Sequence, residues 1–79
     1  MKFAKLAEKY KKLVDNYEQG RHIKPEKLGK LQQLLADKKS RYETKLESTL
    51  DPEKRTRLET RLKVVNAQLE KSKQLLSNN

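Results

Sequence analysis

The stretch Ser48-Thr49-Leu50-Asp51-Pro52-Glu53 decides the fold. A short carboxylate such as Asp51 accepts the orphan amide protons at a helix start. Proline at the next position loses no hydrogen bond there, and the charge of Glu53 suits the positive end of the helix dipole. A helix therefore begins at Pro52. Downstream, Leu58, Leu62, Val65, Leu69, Ser72 and Leu76 recur at steps of 4, 3, 4, 3 and 4, the heptad spacing of a helix lying along another. The tail Ser77-Asn78-Asn79 is expected to end it.

Upstream of this turn, Leu28, Leu31, Leu34, Leu35, Tyr42 and Leu46 share one helical face, which predicts a second helix from about Pro25 to Ser48. Two helices of similar length joined by so few residues must fold back as an antiparallel hairpin. With the turn centred near residue 50, Leu31 faces Leu69, Leu35 faces Val65, Tyr42 faces Leu58, and Leu28 faces Ser72. Lys38, opposite Leu62, is the misfit of this register. Its stem can cover Leu62 while the ammonium reaches water, or the charge can act as a polar device that sets pairing.

A first helix, residues 2–19, follows from Phe3, Ala7, Tyr10, Val14 and Tyr17 at steps of 4, 3, 4 and 3, widened by Leu6 and Leu13. Gly20 stands where a left-handed residue closes the last turn, and Pro25 restarts the chain. With Lys24 as a poor cap, Ile23 and Leu28 occupy the two positions of a hydrophobic staple. The expectation is an all-α, single-domain chain over residues 1–79, with helices at about 2–19, 25–48 and 52–76, forming a three-helix bundle. Exchange of the first helix across its five-residue connector gives a dimer with the same seams. Gly29, inside the second helix, costs about 1 kcal/mol against alanine. Either a frayed first turn or the close approach of another helix would account for it.

The composition excludes several classes of function. Seventy-nine residues carry 39% charged and 33% hydrophobic side chains, no cysteine and no tryptophan, and a net charge of +9. A chain of this size buries only about 60% of its unfolded surface, so its core is small. Without cysteine there are no disulfides or thiolate metal sites. The apolar residues never run longer than three, far short of a bilayer span, and the charged start Met1 to Lys9 does not read as a secretory signal. A soluble cytoplasmic protein is expected.

No catalytic, cofactor-binding or metal-ligating residue is expected. His22 is the single histidine and lies in the connector, with no second histidine to share a metal. Asp15 and Glu18, three apart, have lysines around them, and the two glycines are isolated, so no phosphate loop exists. Tyr10, Tyr17 and Tyr42 fall on apolar stripes and read as core residues whose hydroxyls reach solvent or a polar neighbour, rather than as a base-stacking platform.

Charge is the remaining feature with functional content. The excess is +4 over residues 1–25, +2 over 26–50 and +3 over 51–79. Glu8–Lys12, Glu26–Lys30, Asp37–Arg41, Glu53–Arg57 and Glu59–Lys63 are spaced for pairing one turn apart, at about 0.2–0.5 kcal/mol each. Basic residues, some of them also spaced for such pairs, form three stripes that apart from Lys38 are expected on faces opposite the core. These are Lys2, Lys5, Lys9 and Lys12; Lys38, Arg41 and Lys45; and Lys54, Arg57 and Arg61. The primary expectation is a non-enzymatic interaction protein. It would bind another protein, or itself, through the seam residues Leu31, Leu35, Tyr42, Leu58, Leu62, Val65, Leu69 and Leu76. The alternative is a nucleic-acid-binding protein whose basic stripes contact phosphates. Anionic lipid comes third, because the apolar face of the first helix is committed to the core.

Overall fold

The computed structural model describes residues 2–78, which form three helices: α1 (Phe3–Glu18), α2 (Pro25–Ser48) and α3 (Pro52–Asn78). The molecule measures 44 × 19 × 17 Å. At 1.5 Å per residue α3 alone is about 40 Å long, so the helices lie along the long axis and the short connections make neighbours antiparallel. Helices α2 and α3 pack most closely, and α1 lies against them with much less contact.

The turns form by the local chemistry expected of them. The Asp51 carboxylate accepts the Glu53 amide proton at 3.0 Å, which caps α3 above Pro52. Gly20 is left-handed, with φ +78°, and closes α1 in a Schellman turn. In that turn the Gly20 amide donates to the Tyr17 carbonyl and the Arg21 amide to that of Asn16, both at 3.0 Å. The side-chain contact that is usually apolar in this motif is polar here, because Arg21 Nη1 donates to Asn16 Oδ1 at 3.2 Å. Lys24 precedes α2 without a side-chain cap. The staple takes its place: Ile23 and Leu28 are both buried, in one cluster with Leu75.

The hairpin has a clasp that local sequence rules do not show. Arg55 reaches back across the turn, and its Nη1 donates to the carbonyls of Leu46 at 2.7 Å and Thr49 at 3.1 Å. A cation thus satisfies one orphan carbonyl of the last turn of α2, that of Leu46, together with the carbonyl of its C-cap Thr49, at the negative end of the helix.

Leu6, Leu31, Leu35, Tyr42 and Val65 form the main core, flanked by Phe3, Tyr10, Leu13, Leu34, Leu58, Leu62 and Leu69. A second cluster of Ile23, Leu28 and Leu75 is flanked by Leu13, Val14 and Tyr17. Ser72 is fully buried and satisfied, its Oγ donating to the Leu69 carbonyl at 2.8 Å.

Four expectations are corrected. Leu76 is 39% exposed, and Leu75 takes the inward position at 2%. The line Arg61–Val65–Gln68–Ser72–Leu75 is the one turned towards α1 and the connector, as the Phe3 contact of Arg61 and the cluster around Leu75 show. Apolar spacing selects the other flank of α3 because Arg61 and Gln68 are polar. Helix α3 also runs on through Ser77 to Asn78, because neither glycine nor proline stops it; Asn79 lies outside the described residues. No helix approaches Gly29, where an added Cβ meets nothing within 4 Å. The Tyr42 hydroxyl is buried without a hydrogen-bond partner, although its ring packs as expected.

Candidate cationic groove

The two clusters leave α1 and α2 in contact at their apolar faces, with a trough beside the contact line. This groove holds about 400 Å³ and is lined by Lys9, Lys12, Leu13 and Asn16 from α1 and by Lys27, Lys30, Leu31 and Leu34 from α2. Leucines form the floor and lysines both rims. Leu34 is shared with a smaller depression of about 60 Å³, lined also by Leu6, Asp37, Lys38 and Arg41, so the groove continues along the helices.

Helical spacing explains why the cations gather there. Lys2, Lys5, Lys9, Lys12 and Asn16 step by 3, 4, 3 and 4 and so share one face of α1. On α2, Lys27, Lys30, Leu34, Lys38, Arg41 and Lys45 step by 3, 4, 4, 3 and 4, which extends the stripe of Lys38, Arg41 and Lys45 by two lysines at its N-terminal end. Lys9 and Lys12 of the first stripe thus share one groove with Lys27 and Lys30, and Lys38 and Arg41 of the second stripe line, with Asp37, the depression beside it, whereas Lys2, Lys5 and Lys45 line neither. Lys27 and Lys30 are absent from the stripes expected from the sequence; their step from Leu34 along the α2 stripe is the signal that could have found them.

The third stripe does not join this groove. Lys54 and Arg57 are exposed near the start of α3, where Arg57 borders a shallow depression with Pro52, Glu53 and Thr56. Arg61 is exposed too, but it lies beside the core and not opposite it, its guanidinium 5.5 Å from the centroid of the half-buried Phe3 ring. Phe3 meets the Tyr42 ring at 6.5 Å with a tilt of 54°, and the Lys38 ammonium stands 5.7 Å from the Tyr42 centroid. Two cations therefore bracket an aromatic pair that joins all three helices. Lys38 is half-buried, as a lysine covering a seam would be. Burial, with Arg41, Lys45 and Arg61 nearby, holds its ammonium below the usual lysine range.

The surface cations are less paired than one-turn spacing suggests. None of the five expected acid–base pairs forms among the described residues; Glu59 instead faces Arg55, at 3.9 Å. Exposed pairs of long side chains gain too little to hold one geometry. The lysines of the groove thus keep their charge available at the rim.

Of the seam residues, Leu31, Leu35, Tyr42 and Val65 are buried in the chain's own core, with Leu58, Leu62 and Leu69 packed against them. His22, Asp15 and Glu18 are exposed, and among the described residues no group of three or more His, Cys, Asp or Glu side chains is placed to hold a metal ion. No described helix is long and apolar enough to cross a membrane. No protein-family model matches the chain, and neither a curated protein nor a solved structure matches it.

Proposed function

We propose that this chain is a small, non-enzymatic interaction protein that engages an anionic macromolecule on the basic face shared by α1 and α2. The observation that carries this reading is the convergence of Lys9 and Lys12 with Lys27 and Lys30 on one groove. Lysines on two walls raise the local potential above that of any single stripe, and a charged cleft speeds association with a partner of opposite sign. Partner capture through the leucine seam would require the bundle to open, because that seam is filled within the chain. The net charge of +9 works against pairing two copies basic face to basic face.

An acidic protein is the first reading of the partner. A nucleic-acid backbone is the second, favoured by the run of Lys38, Arg41 and Lys45 that carries the cationic line on beyond the groove. Both readings predict binding of polyglutamate and single-stranded RNA that weakens steeply between about 50 and 200 mM salt. Reversing one lysine on each wall, Lys12→Glu with Lys30→Glu, should remove most of that binding without changing the helical circular dichroism. Absence of binding at low salt rejects the basic face as a working surface.

A further inference from the structure

We infer that the groove between α1 and α2 is a docking site for an acidic amphipathic helix of a partner protein. This rests on the basic-face reading above and adds the shape and apolar chemistry of the occupant. Leu13, Leu31 and Leu34 floor the trough, and a row of ammonium groups stands on each side. A ligand that fits both features has an apolar stripe flanked by carboxylates.

Geometry favours a helix over other acidic ligands. The stretch from Leu6 to Asn16 along α1 spans about 15 Å, nearly three helical turns, and so offers contact to anchors at i, i+3 or i+4, and i+7. The walls are helices whose interior backbone groups are already paired, so they offer no edge to which an extended peptide could add as a strand. A helical occupant satisfies its own amides and carbonyls.

Other occupants fit less well. Phosphates above a leucine floor gain nothing from it, and among the residues lining the groove there is no aromatic ring on which a base can stack. A single acyl carboxylate uses one lysine where four are arranged in two rows. A second copy would bring lysine-rich helices to a lysine-lined trough.

The test uses the intact chain and three fluorescent probes in anisotropy titrations. One is a peptide of about 15 residues with leucines at helical spacing between glutamates. The second has the same composition in scrambled order, and the third is a single-stranded RNA of equal charge. The amphipathic peptide should bind about tenfold more tightly than the scrambled one, gain helicity on binding and shift the methyl resonances of Leu13, Leu31 and Leu34. Leu34→Gln should remove the preference for the ordered peptide while leaving RNA affinity unchanged; the methyl shifts of the unaltered protein serve as the readout if that variant unfolds. Equal affinity for ordered and scrambled peptides overturns the helix as occupant and leaves the basic face standing, as does tighter binding of RNA than of the ordered peptide. If no probe binds, both readings fall.

Discussion

The Arg61 guanidinium of α3 lies over the Phe3 ring of α1, 5.5 Å from its centroid, and fastens the start of the first helix to the hairpin. Phe3 is also tilted against Tyr42, so the N-terminal end of α1 is held by one ring with contacts to both partner helices. Phe3→Leu keeps an apolar side chain and removes the aromatic terms, with an expected loss of about 1 kcal/mol in urea unfolding. A double-mutant cycle with Arg61→Ala should return a coupling of about 0.5–1 kcal/mol, and a coupling of zero would mean that the stacking contributes nothing.

The end of α3 offers a paired comparison. Leu75 is 2% exposed and its neighbour Leu76 is 39% exposed. Leu75→Ala should destabilise the chain by about 2–5 kcal/mol, enough to abolish the folded baseline of so small a domain, whereas Leu76→Ala should stay within about 0.5 kcal/mol. Thermal melts that rank the two the other way would place α3 in the rotation that its apolar spacing alone suggests.

Gly29 is a site of available stability. It sits in the second turn of α2 with open space at its missing Cβ. Gly29→Ala should stabilise by about 0.5–1 kcal/mol, a rise of about 2–8 °C in Tm, with no change in polyanion binding. A fall in Tm would show that the position is held by something other than backbone entropy.

Two groups give the alkaline stability profile opposite slopes. Lys38 titrates below its ordinary 10.5, because burial and then Arg41, Lys45 and Arg61 disfavour its charged form. Near that pH the unfolded chain binds more protons at this position, so the Lys38 contribution to stability rises with pH. Tyr10 titrates above 10.0, first through burial and then through the Glu18 carboxylate. The stability from its neutral hydroxyl is complete below 10.0 and is lost as pH rises through the folded value. Urea midpoints measured from pH 8 to 11 should therefore rise less steeply in Lys38→Met, and fall less steeply at the upper end in Tyr10→Phe.

The parts of the fold that could be read from sequence rest on residues that act locally. Asp51 with Pro52, Gly20 with Pro25, and Ile23 with Leu28 each set a boundary through neighbours a few positions away, and each acts in the structure as its chemistry requires. The parts that could not be read depend on how one helix is turned against another. Arg61 and Gln68 hid the flank of α3 that meets α1, because a polar residue at a core edge looks like a surface residue in a periodic pattern. The Arg55 clasp joins residues nine apart across a turn, beyond the reach of capping rules. The groove shows the same limit: the stripe of α1 was visible, but that its Lys9 and Lys12 meet Lys27 and Lys30 across one trough depends on the placement of α1. One-turn charge pairs were overcounted, since spacing permits contact without holding it.

The uneven packing of the three helices also has a consequence in time. Because α1 is held by far less contact than joins α2 to α3, its amides should exchange with solvent through an opening that leaves the hairpin closed. Any ligand that bridges the two walls of the groove works against that opening. Its arrival should then be seen as slowed deuterium uptake along all of α1, including turns that it never touches.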